Sequence, residues 1–164
     1  MEHHLGTDPT SGEERRLIVL DARNAASLGA AFAAISPWAD YPYPASALAA
    51  YFKKSEAGAP RYQIVFGGQI AGVAGLRDDW LRGPYLQFLG ILPGFQGRGL
   101  GACVLAWFER TARDGGQRNL WVAASDFNTA AIRFYQRHGF AACASLDGLV
   151  ADGRTEILLR KKLS

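Results

Sequence analysis

Four glycines fall within eight residues in the stretch "GFQGRGLG" (94–101), between an apolar run and the start of a helical pattern. Glycine lets backbone N–H groups approach an anion that side chains would hold away, and a helix start adds unpaired donors and a positive dipole end. The chemistry on offer is phosphate binding. A nucleotide-triphosphate loop needs G-x-x-x-x-G-K-[ST]. Gly94 and Gly99 have the spacing, but Leu100 and Gly101 stand where the Lys and the hydroxyl belong. A dinucleotide fingerprint is matched by Gly97, Gly99 and Ala102, with Asp126 after the next strand placed to hold a ribose. Against it, Pro93 to Gln96 separate the strand from the first glycine, and only 38 residues follow Asp126.

Such a turn needs a strand behind it and a helix ahead. The run 84–92 supplies a strand, with Gly90 inside it as a bulge or a close backbone approach. Ahead, Leu100, Cys103, Val104, Trp107, Phe108 and Thr111 recur at helical spacing until Gly115-Gly116. The rest of the chain alternates similarly. Residues 16–22 predict a strand, 24–35 a helix capped by Asn24, and 45–58 a second helix, with a Pro- and aromatic-rich loop between the two helices. Residues 61–76 read as a hairpin around Gly67-Gly68, 119–124 as a strand, and 128–138 as a helix with Asn128 as its cap. A last strand pair closes the chain across "DGLVADGR". The order predicts an α/β fold: a mixed, mostly antiparallel sheet with helices on its faces and one β-α-β crossover that sets 84–92 and 119–124 parallel.

Composition excludes several classes. At 164 residues and 49% hydrophobic, the chain fits one buried core, expected over 16–164, with 1–15 as a disordered leader. A net charge of +3 comes from cations that are scattered apart from Arg160, Lys161 and Lys162, which read as a solvated terminal strand or tail rather than a nucleic-acid footprint, and no apolar stretch is long enough for a membrane span. Cys103 and Cys143, far apart and outside any CxxC, read as two buried thiols in a reducing cytoplasm, with no metal site.

A third phosphate template is Q/R-x-x-G-x-G/A, met by Gln96, Gly99 and Gly101. The segment "LGILPGFQGRGLGACVLAWFE" resembles the acetyl-CoA motif of the GNAT superfamily of N-acetyltransferases. A second signature follows: "NTAAIRFYQRHGF" is similar to the family's N-x-x-A-x-x-x-Y-x-x-x-G-F, at Asn128, Ala131, Tyr135, Gly139 and Phe140. The resemblance implies a GNAT-like fold in which the backbone of Gly97, Arg98, Gly99, Leu100 and Gly101 holds the coenzyme A pyrophosphate. It implies that the two parallel strands splay near Gly90 and Ile91 on one side and Val122 to Ala124 on the other, with the pantetheine arm between them. Leu89 then matches the position whose N–H polarises the thioester carbonyl, and Asn128 and Ala131 lie beside the pantetheine.

Tyr135 is the expected proton donor to the leaving thiolate, a phenol of pKa about 10. The acceptor amine, with pKa about 10.4 if it resembles a lysine side chain, must lose a proton before attack. The strand position where many relatives carry a Glu or His holds Gln87, which cannot titrate, and Asp40, Asp78, Asp79 and Asp126 are the remaining carboxylates considered. Trp38, Tyr41 and Tyr43 are read either as an aromatic wall for a cationic amine or as a plug under the Pro-rich loop. The expected function is acetyl transfer from acetyl-CoA to the primary amine of a small molecule or peptide, in a chain whose dimerisation is left open. A non-catalytic acyl-CoA-binding module and an NAD-dependent oxidoreductase are the alternatives.

Overall fold

A computed structural model describes residues Met1–Ser164. Eight strands form one sheet: β1 (Glu2–Thr7), β2 (Glu14–Val19), β3 (Arg61–Phe66), β4 (Gln69–Trp80), β5 (Gly83–Ile91), β6 (Asn119–Ser125), β7 (Ala141–Asp147) and β8 (Thr155–Lys162). Their spatial order is β1-β2-β3-β4-β5-β6-β8-β7, and β5–β6 is the parallel pair. The α-helices are α1 (Ala25–Ala33), α2 (Ala45–Lys53), α3 (Leu100–Asp114) and α4 (Thr129–Arg137). No helix is long and apolar enough to cross a membrane.

The β3–β4 hairpin turns on Gly67 and Gly68, both at positive φ, as its sequence predicts. Strand alternation then sorts the core. Ala74 and Leu76 of β4 face α3 and α4 in a large cluster with Leu17, Ile64, Val104, Phe108 and Tyr135. Val73 points the other way, into a smaller cluster where Leu28 and Phe32 of α1 and Phe52 of α2 meet Phe88.

Leu86 and Phe88 break the period of two: they have the same parity, yet Leu86 belongs to the large cluster and Phe88 to the small one. The register explains this. Leu76 opposes Leu86 while Gly75 opposes Phe88, so Gln87 is the extra residue of a β-bulge. The bulge lies at Gln87, not at Gly90. Parallel pairing of β5 with β6 runs through Tyr85↔Trp121 and Leu86↔Val122 and stops there, so the strands part at Gln87, earlier on β5 than expected. Gly90 is instead a close approach: a Cβ there would overlap the Phe32 ring and lie 2.9 Å from Trp38.

Three further expectations are corrected. The segment read as a disordered leader contains β1, an edge strand whose His3 pairs in register with Leu17 and packs 4.9 Å from the Trp107 ring. Asn24 does not cap α1; its side-chain amide donates to Gln63 Oε1 at 3.1 Å. Of the two thiols, Cys103 is half-buried and Cys143 is exposed on β7.

Candidate active site

The glycine turn leaves the end of β5 and runs into α3. Gly97 and Gly99 have φ of 76° and 71°, and a Cβ on either would meet nothing within 4 Å. Backbone conformation, not crowding, requires glycine here. Gly99 occupies the N-cap position of α3, where no side chain caps the helix, so the donors of the first turn are left for a ligand. Leu100 is buried in the core and can offer only its N–H. Gly101 serves packing as well, because a Cβ there would sit 3.1 Å from the Phe134 ring of α4. Gln96 turns its amide back to donate to the Ile91 carbonyl at 3.1 Å, tying the turn to the strand end. Arg98 lays its guanidinium over the Phe66 ring at 5.2 Å.

Below the turn, where β5 leaves β6, a cavity of about 330 Å³ opens between the sheet, α4 and the loop after α1. Leu89, Asn128, Ala131, Tyr135, Trp38, Tyr41 and Tyr43, singled out from sequence for three different roles, all line it. Ile91 and residues 96–101 do not; they lie along the path from the cavity to α3. Asn128 caps α4, its Oδ1 accepting from the Ala131 N–H at 3.2 Å. Burial pushes the Tyr135 phenol well above its ordinary range, with the neighbouring Tyr85 adding to the shift, so Tyr135 keeps its proton at neutral pH.

The aromatics differ in their packing. Trp38 is a plug, stacked on Phe88 at 4.7 Å and edge-on to Phe32. Tyr41 and Tyr43 form a wall, their rings near parallel at 6.3 Å, and the Tyr43 hydroxyl donates to the Val150 carbonyl.

The carboxylate in this cavity is one the sequence reading passed over. Glu156 of β8 is 7% exposed and accepts hydrogen bonds from Ser125 Oγ, at 3.1 Å, and from the Tyr41 hydroxyl. Burial first and Glu156 second raise the Tyr41 phenol to about 12. Asp40, Asp78, Asp79 and Asp126 are exposed and do not line the cavity. Gln87 does line it, accepting from the Tyr51 hydroxyl at 3.3 Å. The available signal was period: in "TEILL", Glu156 shares its strand face with buried Leu158. A charged residue on a core face is the rare case that marks a site.

The splayed parallel pair, the glycine turn feeding α3 and the cavity lined by Tyr135 and Glu156 thus lie together on one side of the β5–β6 pairing. The chain belongs to the acetyltransferase (GNAT) family, whose sequence pattern matches residues 24–140. A streptothricin acetyltransferase of Streptomyces lavendulae is 31% identical over 87 residues, which are 52% of this chain and 46% of that protein. The chain spans about half the length of the curated relatives it matches. An acetyltransferase from Thermus thermophilus shares the fold with a TM-score of 0.74 at 20% identity, over 98% of this chain and 100% of that one. A GNAT acetyltransferase from Elizabethkingia anophelis, solved with acetyl-CoA bound, gives 0.59 at 17% identity over 65% and 77% of the two chains.

Proposed function

We propose that this chain transfers an acetyl group from acetyl-CoA to a primary amine, with both substrates bound together. The turn fits the cofactor on its own geometry: open space beside Gly97 and Gly99 and an uncapped helix start suit a diphosphate. When bound, acetyl-CoA supplies the acetyl group as an activated thioester. The amides of residues 97–101 would hold its pyrophosphate, and the strand gap beyond Leu86 and Val122 would take its arm. Leu89, on the β5 side of the gap, offers a backbone N–H to an acyl oxygen.

The residues divide the proton work. An amine of pKa about 10.4 arrives as ammonium, and the buried Glu156 carboxylate attracts it, aided by the electron-rich faces of Tyr41 and Tyr43. Glu156 Oε2, the oxygen left free by the Tyr41 and Ser125 hydrogen bonds to Oε1, accepts the proton the nitrogen must lose. Tyr135 Oη keeps its own proton until an anionic leaving group forms. Neither Cys103 nor Cys143 lines the cavity, so the amine attacks the thioester directly with no cysteine intermediate. Two free thiols also suit a reducing, cytoplasmic setting.

The observation that carries this reading is the presence of Tyr135 and Glu156 in one cavity at the strand split. Its test is release of free coenzyme A from acetyl-CoA against a panel of polyamines, amino acids, aminated antibiotics and peptide N-termini. Turnover with at least one amine is expected, and Tyr135→Phe should lower kcat about 100-fold with coenzyme A affinity unchanged. Tight coenzyme A binding with no turnover on any amine overturns it in favour of a binding module.

A further inference from the structure

The end of the parallel pair opposite the split carries a second concave site. A recess of about 610 Å³ opens at the starts of β5 and β6 and the end of β8. Arg82, Arg118, Arg160 and Lys162 line it, and no carboxylate does. None of these four cations takes part in a salt bridge, although ten others are formed across the molecule. Setting the four aside leaves 14 of the 18 Lys and Arg residues against 15 carboxylates, so the recess carries a formal +4 and the rest of the chain −1.

Two features fix the Arg160 guanidinium and the backbone that carries Arg82. Asn119, 8% exposed, accepts from both Nε and Nη2 of Arg160, at 2.8 and 2.6 Å. A neutral amide therefore fixes the guanidinium without cancelling its charge, and leaves its remaining N–H groups free. The second feature is the β4–β5 turn. Leu81 and Arg82 have φ of 31° and 60°, a region that favours glycine and that this chain fills with glycine at its other tight hairpin. The strained turn is pinned by the Asn119 side-chain amide on the Arg82 carbonyl at 2.8 Å and by Trp121 Nε1 on the Leu81 carbonyl at 3.1 Å. One buried residue thus holds the Arg160 guanidinium and the Arg82 backbone. Held together without an acid, the four cations repel one another until an anion enters.

We propose that this recess binds a compact polyphosphate group, at a site separate from the acyl-transfer cavity and independent of that reading. Closely spaced phosphates match several guanidinium and ammonium donors at once, which a single carboxylate does not. The volume suits a small ligand such as a nucleotide polyphosphate or free inorganic polyphosphate.

The test is calorimetric titration of the full chain with sodium tripolyphosphate at physiological salt, with and without saturating coenzyme A. With coenzyme A occupying the glycine turn, one site is expected, weakened at least tenfold by Arg160→Gln and by Arg82→Gln; a second site that appears only without coenzyme A belongs to the turn. Arg23→Gln, which removes an exposed charge elsewhere, should leave it unchanged. Arg82 and Lys162 are exposed, so R82Q and K162Q serve should the Arg160 variant fail to fold. Tighter binding of ATP identifies a nucleotide as the source of the phosphates; equal or weaker binding identifies free polyphosphate. Absence of binding, equal weakening by Arg23→Gln, loss when coenzyme A is present, or binding of a single-stranded oligonucleotide alone overturns the proposal. Failure of coenzyme A itself to bind would sink the acetyl-transfer reading and leave the recess titration standing.

Discussion

Glu156 is held by two hydroxyl donors, and its two functions separate on substitution. As an acceptor it satisfies Ser125 and Tyr41 inside the protein; as an anion it attracts and deprotonates an amine. Glu156→Gln keeps the first and removes the second. The expected outcome is a fall in kcat/KM for the amine of about 100-fold, with little change in thermal stability. Glu156→Leu removes both; the Ser125 and Tyr41 hydroxyls also bond each other, so one of the two loses its acceptor, and the change should cost about 1–3 kcal/mol in urea unfolding as well. Equal kinetics for wild type and E156Q would return the proton to another acceptor, with Gln87 and a water chain as the next place to look. The acid was hidden in the sequence because it sits in the last strand, remote from both motifs, and only the order β6-β8-β7 brings it beside Ser125.

Elements place glycine for two different reasons, and the distinction predicts two kinds of variant. Gly99 stands in open space in a left-handed conformation, so Gly99→Ala disturbs no packing; it should cost about 1–2 kcal/mol of backbone strain and weaken coenzyme A about tenfold or more. Gly90 has ordinary backbone but no room, and Gly90→Ala should cost about 1–3 kcal/mol by pushing Phe32 and Trp38 from their places. Calorimetry and thermal melts on the two variants separate the cases: an affinity loss confined to G90A would reverse the assignment. What could be read from the chain follows the same division. Local chemistry was legible: the Gly67-Gly68 hairpin, the Asn128 cap and the periodicity of α3 are written in neighbouring residues. The bulge at Gln87 was not, because register depends on which residues of β4 stand opposite. Nor was β1, whose inward residues are His3 and Leu5 rather than an apolar run; partners on β3 and α3 complete it.

Across the whole molecule, the hairpin that begins the described chain reaches the cofactor turn. Arg15 of β2 is paired with Asp8, and the same guanidinium donates to the Arg98 carbonyl at 3.3 Å and approaches Cys103 Sγ at 3.5 Å. A buttress contributed by residues 8 and 15 thus steadies the crown of a turn some eighty positions later. Asp8 is held below the ordinary carboxylate range by the amides of Ser11 and Thr10 and then by Arg15. Its folded form therefore binds a proton less readily than the unfolded chain does. The stabilisation is complete above the unfolded value of about 3.9 and is lost as pH falls through that value toward the folded one. Asp8→Asn lacks this dependence. Wild type should melt above the D8N variant at neutral pH, and the gap should narrow as pH falls below about 4. Coenzyme A affinity should fall with it, because a released Arg15 no longer holds the Arg98 carbonyl. Melting curves recorded in parallel across that range decide the matter: a gap constant with pH would mean that Asp8 acts through its shape in the turn and not through its charge.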